Sequence, residues 1–208
     1  ITCTELNSER LIINKIDNIK YKICDAEIID SYFDKNQFDL VFSSNMFEHL
    51  PNPINALNGI KKILTKDGIA ILIMPSPFWS ICHIFLYYPV TLFNVIKRRL
   101  FNKKNIIKSK KKINTENNLK LKKIKRFSLL DLIKWPHPHG VSKSHFKELL
   151  YFKKKSWVNM YIDSGYEVID IKKGPLTSGY GLNFNCLRNF FKAVGFTSEY
   201  IYYIKFNK

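Results

Sequence analysis

Carboxylates, hydroxyls and imidazoles fall at a few definite places in this sequence. Glu5 and Asp25 close two short apolar stretches, Ile1 to Leu6 and Tyr21 to Cys24, and Ser43, Ser44 and Asn45 follow the run FDLVF from Phe38 to Phe42. A carboxylate at Glu5 can accept hydrogen bonds from both hydroxyls of a ribose. Asp25 can accept from an adenine amino group, with Ala26 small enough to leave room for the ring, and the Ser-Ser-Asn cluster offers hydroxyl, amide and backbone groups to the rest of a nucleoside-type ligand. Imidazoles come next: His49 beside Glu48, then His137 and His139 in WPHPHG. A neutral imidazole takes a proton near pH 7, so His49 is the first candidate base and the other two are second candidates. Each position has an ordinary alternative. Asp and Ser cap helices and turn chains, His49 pins a turn with Glu48 as partner, and WPHPHG is an ordered proline-rich loop.

The elements that must position these groups alternate. Two short strands flank a helix-compatible segment, Ser8 to Lys15. FDLVF and IAILIM (Ile69 to Met74) are nearly continuous apolar runs, the pattern of strands buried on both faces of a parallel sheet. Between them a helix is predicted, with Asn52 as cap, Pro53 in the first position and Ile54, Leu57, Ile60 and Leu64 at helical spacing before Gly68. The later third reads as a helix from near Ser142, a second from near Ser156 to Gly165 with Trp157, Met160 and Tyr161 on one face, a strand over YEVIDI (Tyr166 to Ile171), a helix over Leu182 to Val194, and a strand over Tyr200 to Phe206. Such alternation predicts an α/β, doubly wound, mostly parallel sheet, in which ligands bind beyond the carboxyl ends of the strands. That rule brings Glu5, Asp25 and the Ser-Ser-Asn cluster to one rim.

Length and charge narrow the classes. The 208 residues fit one domain with an ample core, being 46% hydrophobic. Cys3, Cys24, Cys82 and Cys186 form no CxxC pair, which argues against a disulfide framework and a zinc site; no metal site is predicted, and a reducing cytoplasm is the expected location. The formal charge of +17 is uneven, for Lys97 to Arg126 holds 14 Lys or Arg against the single acid Glu116. Just before it, Phe78 to Ile96 contains no formal charge. Pro89 interrupts this run, so a bent helix lying at a membrane surface fits better than a span. The alternatives are a core helix followed by a solvated loop, and lysine enrichment that reflects base composition. A phosphate backbone would also favour the basic segment, yet Phe101 is its only aromatic, which leaves little platform for stacking bases.

CDAE at Cys24 to Glu27 and FDLVFSSNMFEHLPNPINALNGIKKILTKDGIAILIMPSP at Phe38 to Pro77 together resemble the small-molecule branch of the class I S-adenosylmethionine-dependent methyltransferases. The resemblance is close over about the first 77 residues and is echoed in the last third. It implies a Rossmann-like fold whose first strand and glycine-rich turn would precede Ile1 and are not among these residues. It also implies that Glu5 holds the cofactor's ribose, that Asp25 and Ala26 border the adenine, that Ser43, Ser44 and Asn45 lie beside the methionine part, and that Glu48 and His49 lie near the transferred methyl. The expected organisation is a cofactor-binding half over residues 1–77, an apolar and Lys-rich insertion or lid over 78–140, and the rest of the same domain over 141–208. The expected reaction is methyl transfer from S-adenosylmethionine to a small-molecule, sugar or lipid-linked acceptor, with His49 and His139 as catalytic candidates and an anionic membrane surface, at the inner face, as a further partner. A nucleic-acid or RNA-modifying enzyme using the basic segment is the second reading, and a catalytically inactive fragment that binds a partner is the third.

Overall fold

The computed structural model describes residues 1–10, 16–109, 136–176 and 185–206. The architecture is α/β, and its strands fall into two groups. Strands β1 (Thr2–Glu5) and β2 (Lys20–Ile23) pair in parallel, Glu5 opposite Ile23. The other four strands lie in the order β3 (Phe38–Ser44), β4 (Leu64–Pro75), β6 (Glu199–Phe206), β5 (Tyr166–Lys173). β3 and β4 are parallel, while β6 runs antiparallel to both β4 and β5. Among the described pairings, parallel and antiparallel ladders are therefore equal in number, since the chain returns at its end by an antiparallel strand.

The helices are α1 (Pro53–Ile63), α2 (Pro77–Ser109), α3 (His145–Tyr151), α4 (Lys154–Asp163) and α5 (Asn185–Ala193). α1 lays Ala56, Leu57, Ile60 and Ile63 onto the sheet face formed by Ala70, Leu72, Met74, Tyr202 and Ile204, and α4 adds Trp157 and Tyr161 to the same core. The Tyr166 hydroxyl ties the two halves by donating to the Leu57 carbonyl at 2.7 Å. Gly59 is required where α1 crosses the 3-10 turn Ala26–Ser31, because a Cβ there would meet the Ile29 side chain at 2.6 Å.

Several expectations are corrected. α1 stops at Ile63, and Leu64 is already extended and opposite Phe38, so Leu64 belongs to a strand and Ile54 is left 52% exposed. The Asn52 side chain makes no cap bond; its Nδ2 and its backbone N–H instead reach the Glu27 carboxylate. FDLVF is not buried on both faces: Leu40 and Phe42 are 51% and 62% exposed. They share a sheet face with Ile69 and Ile71, their partners in register, and these are only half-buried. Among the described residues no helix covers that face, whereas α1 and α4 cover the opposite one. α2 continues through Pro89 as a single helix, and no helix among the described residues is long and apolar enough to cross a membrane. Residues 11–15 of the first predicted helix, 182–184 of the last, and 110–126 of the basic segment lie outside the described residues.

Candidate functional site

The carboxyl ends of the strands carry the groups expected there. At the end of β1, Glu5 Oε1 accepts from the backbone N–H of Leu6 at 3.1 Å and of Asn7 at 3.4 Å. At the end of β2, Asp25 Oδ1 accepts from Glu27 N–H at 3.0 Å and caps the turn that Ala26 opens. The ordinary alternative for Asp25 is thus realised in its local bonding. Because Cys24 N–H donates to the Glu5 carbonyl at 3.1 Å, the ladder holds the two strand ends level. Beyond β3, Asn45 takes a left-handed backbone (φ 49°), its N–H donates to the Ile73 carbonyl, and its Nδ2 reaches Ser44 Oγ at 3.5 Å and Glu199 Oε2 at 3.4 Å. Ser43 and Ser44 are the last two residues of β3, opposite Leu72 and Ile73.

A second cluster lies just past Asn45. The 3-10 turn Phe47–His49 buries Phe47 completely and leaves Glu48 1% exposed. The Glu48 carboxylate oxygen Oε1 sits 3.9 Å from His49 Nε2 and 3.8 Å from His139 Nε2, and the two imidazole rings are 4.5 Å apart, edge to face. Residues 90 apart in sequence are joined because the WPHPHG loop is fastened to this turn. Val141 N–H donates to the Glu48 carbonyl at 3.1 Å, and Gly140 is left-handed (φ 66°) and so close that a Cβ would lie 2.2 Å from that carbonyl oxygen. His137, on the same loop, is exposed. His139 N–H donates to Glu148 Oε2 at 2.6 Å, and the fully buried Glu148 also accepts from the Ser80 hydroxyl and lies 3.8 Å from His145 Nδ1.

Aromatic rings wall the cluster. Trp79 and His83, one turn apart on α2, stack at 5.2 Å, and His139 meets Trp79 at 4.7 Å. Burial pushes the His83 and His139 imidazoles below their ordinary range, for His139 with the help of neighbouring His49. Both are therefore neutral at pH 7. Burial, aided by the Glu199 charge and opposed by a backbone hydrogen bond, pushes the Glu48 carboxyl up to about 7. Its Oε2 has no hydrogen-bond partner. Sequence reasoning found Glu48, His49 and His139 but missed Trp79, His83, Glu148 and Glu199. Trp79 and His83 had a signal in their four-residue spacing within an uncharged run, whereas Glu199 had none.

An open α/β sheet with carboxylates and hydroxyls at its strand ends is an arrangement of the Rossmann-like type, in which ligands bind beyond those ends. Residues 1–72 match the family model described as a methyltransferase domain. The fold is similar to that of a putative S-adenosylmethionine-dependent methyltransferase from Listeria monocytogenes, with a TM-score of 0.53 and 8% identity over 100% of this chain and 79% of that one. It is also similar to an S-adenosylmethionine-dependent methyltransferase from Mesorhizobium loti, with a TM-score of 0.51 and 9% identity over 98% and 78% of the two chains. A local match to the trans-methyltransferase CalH, solved with SAH, is 20% identical over 36% of this chain, has a TM-score of 0.32, and spans 23% of that protein's length. No curated protein matches in sequence. The family match is confined to residues 1–72, and over the whole chain the likeness to these structures is one of fold.

Proposed function

We propose that this chain transfers a methyl group to a small-molecule, sugar or lipid-linked acceptor bound against His49 and His139. The observation that carries the reading is the convergence of these two imidazoles on the buried Glu48 carboxylate, just past the end of β3. S-adenosylmethionine, when bound, supplies an electrophilic methyl. The donor set at the rim fits it: acceptor carboxylates at Glu5 and Asp25 on level strand ends suit a ribose and an adenine amino group, and Ser43, Ser44 and Asn45 offer hydroxyl and amide groups to the methionine part. Trp79, against His139, gives an acceptor an apolar wall, and the imidazoles can take its proton. Placing reactants in line accounts for much of such an acceleration.

With an accepted substrate, His49→Ala should lower turnover roughly a hundredfold while leaving cofactor affinity near normal. Steady-state rates together with calorimetric titration of S-adenosylmethionine check this, and normal turnover would reduce His49 to a turn residue. A lipid-linked acceptor is favoured by one feature. Ile81, Phe85, Leu92 and Ile96 form an exposed apolar stripe on α2, directly ahead of the basic run that begins at Lys97. On this reading residues 78–140 act as a lid at an anionic membrane surface.

A further inference from the structure

We propose that Glu48, His49 and His139 form a binding site for one divalent transition-metal ion, of which Zn2+ suits the donor set best. Two imidazole nitrogens and a carboxylate oxygen lie within 4.8 Å of one another. Metal–ligand bonds of about 2.0 to 2.2 Å in a tetrahedral zinc site put neighbouring ligand atoms about 3.4 Å apart. The separations of 3.9 Å and 3.8 Å from Glu48 to the two histidines exceed that by roughly half an ångström, a small side-chain movement. The chemistry selects among ions. Two imidazoles with one carboxylate suit zinc or iron(II), and Mg2+ and Ca2+ prefer oxygen ligands throughout. Three protein ligands leave a fourth position open, as in catalytic rather than structural zinc sites.

Independent features point to the same ion. Glu48 is 1% exposed with one carboxylate oxygen unpartnered, an arrangement that is costly for the ionised carboxylate unless a cation compensates it. The ligands are also held in place before any ion arrives. The Val141 bond and the close fit of Gly140 lock the His139 loop onto the backbone of Glu48, and Glu148 grips the His139 N–H from behind. These contacts fix the backbone that carries the His139 ring, so the ring is presented to Glu48 without a loop rearrangement. On the open side His49 and His139 remain 49% and 31% exposed, which leaves a way in for an acceptor oxygen. This site stands on geometry alone and does not depend on methyl transfer. If the transfer reading holds as well, the ion would bind a hydroxyl acceptor and lower its pKa, taking over the role given above to His49.

The test uses the purified full chain, stripped with EDTA and titrated with Co2+ alone, followed by competition with Zn2+. One Co2+ per chain should bind at micromolar concentration or tighter, with the intense visible bands of a low-coordinate nitrogen and oxygen site, and Zn2+ should displace it. His49→Ala and His139→Ala should each weaken binding a hundredfold or more, and Glu148→Gln should weaken it less than either, through the backbone of the His139 loop that it holds. Circular dichroism identifies the variants that fold, and His49→Gln and His139→Gln replace any alanine variant that does not. A folded wild-type chain that takes up no Co2+ overturns the site, as does uptake that survives both histidine substitutions. Because no methyl donor is present, a chain that binds the ion yet never turns over would count against the function and not against the site.

Discussion

At the scale of residues, Glu48 is a buried carboxyl approached from several elements at once. His49 and His139 face it from the turn and the WPHPHG loop, and the Glu199 and Tyr151 side chains interact with it electrostatically from β6 and α3. Raising a carboxyl from its ordinary 4.5 to about 7 means that the folded chain keeps this proton longer than the unfolded chain does. Stability from this group is therefore fully present below pH 4.5 and is lost as the pH rises through 7. A shift of this size corresponds to something on the order of 3 kcal/mol. Burial of the neighbouring His83 and His139 acts in the opposite direction, removing stability as the pH falls. The comparison must therefore be made against Glu48→Gln. In EDTA, denaturant titrations of the two proteins between pH 5 and 8 should show the variant gaining on the wild type as the pH rises. Parallel pH profiles would show that the carboxylate is better solvated than its surroundings suggest.

At the scale of elements, α2 does two jobs with two faces. Ser80 is fully buried and bonds Glu148, and Trp79 and His83 wall the imidazole pocket, while Phe85 is 75% and Phe93 62% exposed. A helix that anchors one face in the site and leaves aromatic and aliphatic groups on the other is suited to a lipid interface, where each nearby basic residue adds about 1 kcal/mol of attraction to anionic lipid. Cosedimentation with vesicles containing anionic lipid should therefore show binding at low salt that weakens at high salt. Phe85→Ser with Leu92→Ser should weaken it further without disturbing the Trp79 contacts. Chain that stays in the supernatant at low salt would leave the stripe without a membrane role.

At the scale of the whole molecule, what the sequence showed and what it hid divide along a physical line. The strand ends at Glu5, Asp25 and Ser44 and the helix stop at Gly165 (φ 79°) were legible, because each depends on local chemistry, and the helix expected from near Ser142 begins at His145. The meeting of His139 with His49 was not, since it rests on Gly140 fitting against a carbonyl 92 residues earlier. Nor was the exposure of Leu40 and Phe42, because an apolar run reports what a strand can bury and not which of its faces is covered. Cysteine spacing speaks only to thiolate sites and carried no signal of the cluster of Glu48 with two histidines.

The division of the strands into a pair and a set of four has a further consequence. β1 and β2 share only four register pairs, and most of their side chains are exposed. A two-stranded ladder of that size is marginal by itself. The chain should therefore comprise two cooperative units of unequal strength. The amides of Lys20 and Cys24, which donate to Ile1 and Glu5, should exchange with solvent deuterium through local opening, whereas those of Ala70 and Leu72 in β4 should exchange only on global unfolding. S-adenosylmethionine bound across Glu5, Asp25 and Ser44 would touch both units at once, so its binding energy would appear as coupling between them. Saturating cofactor should slow exchange at Lys20 and Cys24 far more than at Leu72. Equal slowing at all of these amides would mean that the chain already unfolds as one unit, with the cofactor acting as an ordinary ligand and not as the clasp between two parts.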